Sequence, residues 1–159
     1  MKVREYFFLV LFFVSSVVQA QEYCKVRIYR PKKTVGSAVG FRIYLNKTLV
    51  HKIKSGRKVS LNVRPGKEAV ISIYDGTKND PVPVRVKFVP HPDSVYYFRL
   101  DTELKDYRTI SPILTTTFNY ETAVISMPKE LGEKEWGNSS LFKNLSEEVY
   151  TEKETLYND

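Results

Sequence analysis

A chain of 159 residues with 42% hydrophobic and 27% charged side chains has an ordinary globular make-up, which excludes a collagenous or wholly disordered protein and a large multidomain enzyme. The formal net charge is +7 and unevenly placed: residues 21–100 carry 17 Lys and Arg against 5 Asp and Glu, residues 101–159 carry 6 against 12. One cysteine excludes an internal disulfide, so the core must hold the fold together alone.

The N-terminus has the three parts of an export signal. Lys2 and Arg4 give a positive start, Phe7 to Val18 is an apolar run, and Val18-Gln19-Ala20 sets small or moderate residues where a signal peptidase reads them. Residues 1–20 are therefore expected to be a signal peptide, and the rest of the chain to be periplasmic or extracellular. About twelve apolar residues make a helix of roughly 18 Å, short of the ~30 Å hydrocarbon core, and no later stretch is apolar enough to span a bilayer. Cys24 follows closely, but Gln21, Glu22 and Tyr23 are unlike the small apolar residues that precede a lipidated cysteine. Its phase with Val26 and Ile28 places it on the core side of a strand.

From Cys24 the hydrophobic period is two. Cys24 to Ile28, Phe41 to Leu45, Val59 to Val63, Ala69 to Ile73 and Val84 to Phe88 alternate apolar and polar residues. Val95 to Leu100 adds a sixth run, and either Ile113 to Phe118 or Tyr120 to Met127 a seventh. The links carry turn residues, at Asn46-Lys47, Ser55-Gly56, Pro65-Gly66, Asp75-Gly76 and His91-Pro92-Asp93, and leave no room for crossover helices. The pattern predicts an all-β fold, an antiparallel β-sandwich of about seven strands over residues 21–127. Val26, Ile28, Phe41, Ile43, Leu61, Ile71, Ile73, Val84, Val86 and Phe88 form its expected core. Pro81 and Pro83 put the run after them at a sheet edge. The hairpin at Asn46 has two readings: a two-residue turn turns Val50 to the core, a longer loop turns His51 and Ile53 there.

Residues 128–159 form an acidic tail, partly disordered or helical, in which Leu141, Leu145 and Val149 recur at a spacing that suits a short amphipathic helix.

Few side chains suit catalysis. Two histidines, His51 and His91, and one cysteine do not make a metal site, and there is no Gly-x-Ser-x-Gly elbow. Ser55-Gly56-Arg57-Lys58 lacks the long glycine loop of a phosphate-binding motif, and Asp75 to Asp80 lacks the spacing of a calcium loop. No cofactor is expected. Arg27, Tyr29, Arg42 and Tyr44 interleave as on a nucleic-acid surface, but export argues against a nucleic-acid partner. The basic body instead offers a face for an anionic envelope component, with Arg27, Arg42, Arg85 and Lys87 as its outward cations and the acidic tail as a competitor for the same face. The loop from Lys32 to Ala38, with Lys32, Lys33, Gly36 and Ser37, is longer than a hairpin needs and is a candidate binding loop.

Tyr29-Arg30-Pro31, Val35-Gly36-Ser37-Ala38, Ile43-Tyr44-Leu45-Asn46, Leu61-Asn62-Val63-Arg64-Pro65-Gly66 and Val95-Tyr96-Tyr97-Phe98 together resemble the exported bacterial β-sandwich family called domain of unknown function 2846, over roughly residues 22–100. Lys47 stands where that family has a hairpin glycine, and Glu68 where it often has an aromatic residue or histidine. The carboxypeptidase-regulatory-like and PEGA sandwiches are similar in pattern. The resemblance implies an exported bacterial protein with no established catalytic residues. The expected function is a non-enzymatic accessory or binding module of the bacterial envelope, contacting an anionic component or another envelope protein. The competing expectation is a small hydrolase or lyase that uses the carboxylates near Asp101, Glu103 and Asp106, which requires burial to separate their pKa values.

Overall fold

A computed structural model of the chain describes residues 23–33, 40–75, 83–110, 115–143 and 146–152, with side chains described except at 75 and 103–121. The expected signal peptide, Gly36 and Ser37 lie outside the described residues. Nine strands occur among them: β1 Cys24–Arg30, β2 Phe41–Leu45, β3 Thr48–Ile53, β4 Arg57–Val63, β5 Ala69–Asp75, β6 Val84–Phe88, β7 Val95–Ile110, β8 Thr115–Met127 and β9 Glu148–Thr151. Helix α1, Lys129–Gly137, and a 3-10 turn, Ser139–Leu141, lie between β8 and β9. The strands form a five-stranded sheet in the order β8-β7-β1-β4-β9 and a four-stranded sheet in the order β3-β2-β5-β6. This is the all-β sandwich that the period-two pattern predicts.

Two pairings depart from the antiparallel expectation. β1 lies parallel to β7, and β4 parallel to β9. Parallel neighbours need a long crossover. Between β1 and β7 that crossover is β2 to β6, which includes the whole second sheet, so short turns between consecutive runs do not fix every neighbour. The sixth run also continues past Leu100 to Ile110, and from Thr115 on the two candidates for a seventh belong to one strand, β8; Ile113 and Leu114 lie outside the described residues. Polar residues from Asp101 to Arg108 and the Thr115-Thr116-Thr117 run break the apolar alternation there without breaking the ladder.

The core lies between the sheets. Cys24, Val26, Ile28, Phe41, Ile43, Leu61, Ile71 and Ile73 are fully buried there, and Val86 and Phe88 on edge strand β6 pack against them while partly open. Val84, at the start of that edge, is also only half-buried. Burying each aliphatic side chain stabilises the fold by about 1.5–3 kcal/mol before entropy is counted.

The hairpin at Asn46 has the two-residue turn of the first reading, not the longer loop, and a bulge then gives His51 and Ile53 the phase of the second. Asn46 and Lys47 take φ values of 49° and 71°, and Leu45 pairs with Thr48 across a two-residue turn. Val50 is then an extra residue in β3, which brings His51 opposite Ile43 and Ile53 opposite Phe41. A bulge adds one residue to one strand and resets which residues face the core.

The helix of the tail lies at Lys129–Gly137, not over Leu141 to Val149 as the apolar spacing suggested. Leu141 ends the 3-10 turn, Leu145 lies outside the described residues, and Val149 sits in β9, exposed on a strand. Trp136, which that spacing left out, carries the packing. With Phe142 it meets Tyr29 and Tyr97 on the outer side of the five-stranded sheet, in a second small core. Gly132 faces Tyr97 so closely that a Cβ would come 2.4 Å from its ring carbon.

Candidate functional site

Period-two alternation in β2, β5 and β6 buries Phe41, Ile43, Ile71 and Ile73 and turns their neighbours outward. The register then fixes a lattice on the outer side of the four-stranded sheet. Lys52, Arg42 and Tyr74 stand side by side across β3, β2 and β5. Leu49, Tyr44, Ser72 and Arg85 make the next row, and Val70 beside Lys87 the one after. Tyr44 and Tyr74 meet edge to face, ring centres 5.0 Å apart. Like charges directly opposite on neighbouring strands cost stability, and Arg42 and Lys52 hold such positions in the register. Among the described residues no ion pair offsets it. Arg42 Nε is out of contact with water and has no hydrogen-bond partner among the described atoms. Glu68 offsets Lys87 at 3.4 Å, with both side chains well exposed.

Three of the four outward cations expected to share a face therefore do so: Arg42, Arg85 and Lys87. Arg27 does not. It lies on the outer side of the other sheet, where its guanidinium sits 5.1 Å from the Trp136 ring and 5.6 Å from that of Tyr97, whose hydroxyl accepts a hydrogen bond from Nη1 at 2.7 Å. Alternation says that a side chain points out of the sandwich; it does not say from which sheet. Lys52 and Tyr74 were missed because the bulge in β3 hid the register and because Tyr74 follows the alternating run Ala69 to Ile73 rather than lying within it. The outward phase of Val70, Ser72 and Tyr74 is the signal that finds the second tyrosine.

The expected binding loop is only partly described. Its Lys33 ion-pairs with Asp101 and exchanges hydrogen bonds with Ser55, whose hydroxyl accepts from the Lys33 amide at 3.1 Å and donates to its carbonyl at 3.3 Å. The Lys32 amide donates to the Leu141 carbonyl at 2.7 Å. These two lysines tie the loop to β7 and to the tail. The Ser55-Gly56 turn is likewise occupied by the fold: the Gly56 amide donates to Arg30 and its carbonyl accepts from Lys143, both at 2.9 Å. A phosphate would have to displace both bonds.

The carboxylates named for acid–base work are on strand β7. Asp101 is described in full; the side chains of Glu103 and Asp106 lie outside the described ones. Burial pushes the Asp101 carboxyl up, but Lys33, the Thr102 amide at 2.8 Å and Arg99 at 3.5 Å together hold it below its ordinary 3.8. Such a group stays ionised at neutral pH and is a poor general acid. Arg99 in turn reaches Glu135 of α1 at 2.9 Å, and the Tyr29 hydroxyl donates to the same carboxylate at 2.9 Å. Tyr29 is pushed up out of the ordinary tyrosine range, first by burial and then by that bond. The chain of contacts from Lys33 to Tyr29 pins the helix to the sheet. His51 Nδ1 stands 3.5 Å from Glu148, bridging β3 and β9, and burial raises the Cys24 thiol to about 11, which keeps it protonated and inert. Among the described residues no three His, Cys or carboxylate side chains gather as metal ligands, and no helix is long and apolar enough to cross a membrane.

Comparison with known proteins finds no matching family model, no similar curated protein and no similar solved structure.

Proposed function

We propose that this chain is an exported, non-enzymatic binding module of the bacterial envelope, and that the outer face of its four-stranded sheet takes an anionic glycan. The observation that carries the reading is the cross-strand pair of Arg42 and Lys52 beside the Tyr44–Tyr74 pair. A sheet that spends stability on opposed like charges gains it back when an anion lies over them. Tyrosine rings next to cations suit a charged sugar, which offers an apolar ring face and acidic substituents together. The ionised, ion-paired Asp101 weighs against the hydrolase alternative. Export rests on the N-terminal pattern, and the bacterial source on the family resemblance.

Lipopolysaccharide is the probe that tests this. Binding by the purified protein at low salt should fall at least tenfold in a variant carrying Arg42→Gln, Lys52→Gln, Arg85→Gln and Lys87→Gln, should fade as salt rises, and should persist in Arg27→Gln. Vesicles of phosphatidylglycerol, which carry the charge without the sugar, should bind more weakly than the glycan. Equal binding by the fourfold variant and the unaltered protein would overturn the proposal.

A further inference from the structure

Strand β7 outruns the sheet that holds it. Its pairing with β1 ends at Arg99, whereas its pairing with β8 continues to Ile110 opposite Thr115. Arg30 and Lys33 still meet Thr102 and Asp101. From Glu103 onward no described strand pairs with the far edge of β7, which runs on for eight residues, about 26 Å. A two-stranded ribbon alone is marginal in water, and an open edge invites another strand.

The ribbon has a bulge at its centre. Leu104 pairs with Tyr120 and Asp106 with Asn119, so Lys105 is the extra residue. It makes the order of faces symmetric. The register puts Leu104 and Tyr107, three apart, on the face of Tyr120 and Phe118, and puts Glu103, Asp106 and Arg108 on the other. The sequence Glu103-Leu104-Lys105-Asp106-Tyr107-Arg108 is complementary to its own reverse in charge and in polarity.

We infer that the edge of β7 beyond Thr102 is a self-association surface, and that its partner is the same edge of a second copy, antiparallel about a twofold axis between Lys105 and Asp106. Glu103 then stands opposite the partner's Arg108, Leu104 opposite the partner's Tyr107, and Lys105 opposite the partner's Asp106, each contact occurring twice as an isologous interface requires. Opposed residues of an antiparallel pair must share a face. About an axis normal to the sheet, an unbulged strand can oppose only residues whose numbers sum to an even value, and these pairs sum to an odd one. The extra residue at Lys105 removes the conflict, so the bulge and the charge order point to one arrangement. Opposite charges across strands favour it and like charges would forbid it.

Sedimentation or light scattering of the purified protein, across concentration and at low salt, tests the inference. The unaltered chain should be dimeric at high concentration. Glu103→Arg and Arg108→Glu should each be monomeric alone, because each sets like charges opposite one another. An equimolar mixture of the two should form a heterodimer, and the double variant Glu103→Arg with Arg108→Glu should dimerise again. Circular dichroism matching the unaltered protein in each variant separates lost pairing from lost folding. A monomer at every concentration, dimers in both single variants, or no recovery in the mixture and the double variant would overturn it. None of these outcomes bears on glycan binding by the other sheet.

Discussion

At Asp101, burial and pairing pull one carboxyl in opposite directions. With its side chain 13% exposed, burial alone would raise its pKa, yet Lys33, the Thr102 amide and Arg99 hold that pKa below the ordinary 3.8. A folded pKa below the unfolded one means stability that is complete above the ordinary carboxyl range and lost as pH falls through the lower, folded value. Asp101→Asn should therefore cost about 1 kcal/mol near pH 7, a modest figure because Lys33 is 40% exposed and screened by water. The difference from the unaltered protein should shrink toward nothing in strong acid. Urea unfolding of both proteins at neutral and low pH checks this, and a constant difference across pH would contradict it. Nothing in the sequence marked this role: Asp101 reads as one carboxylate among three, and its partner Lys33 lies 68 positions away in a loop. Core residues are legible at this scale because alternation is local. Lys47 and Val50 were not, since a left-handed turn and a bulge compensate each other and leave the flanking apolar pattern ambiguous.

Among the elements, the described part of the tail, residues 129–143 and 146–152, shows what composition leaves out. An acidic make-up does not say that a single tryptophan anchors the helix. Trp136 is 7% exposed, packs edge-on against Tyr29 and Tyr97, and accepts Arg27 and Lys58 against its ring. Aromatic pairs and cation–π contacts each add a fraction of a kcal/mol to about 2 kcal/mol beyond burial. Trp136→Ala should destabilise the protein by about 3 kcal/mol and speed protease cleavage between residues 129 and 152. Unchanged stability and unchanged cleavage would show that the helix is not held by this cluster. The apolar spacing favoured Leu141, Leu145 and Val149 because periodicity weighs repetition over size, and one buried ring outweighs three leucine-like positions. β9 was equally illegible: four residues, mostly exposed, gain their strand geometry from β4, which alternation alone cannot reveal.

Across the whole molecule, the two outer faces have different fates. The outer side of the five-stranded sheet is covered by α1 and the 3-10 turn, with Arg27, Lys58 and Arg99 drawn into that cover. The outer side of the four-stranded sheet keeps Arg42, Lys52, Arg85 and Lys87 around two tyrosines, with Glu68 as the described acid beside them. The charge partition between body and tail was visible in the composition, but the expectation that the tail competes for the face of the outward cations holds at Arg27 alone: α1 lies on the five-stranded sheet, away from Arg42, Arg85 and Lys87. Which cations it covers depends on how the strands divide between sheets. That division is a property of non-local pairing, so four outward cations in the sequence became three on one face and one beneath the helix. The most direct measurement is an amide NMR titration of the protein with lipopolysaccharide-derived anionic oligosaccharide at low salt. Shifts should concentrate at Arg42, Tyr44, Ser72, Tyr74, Arg85 and Lys87 and reverse as salt is added; shifts centred on Lys25, Arg27 and Asn62, or none at any concentration, would rule out glycan binding by this face.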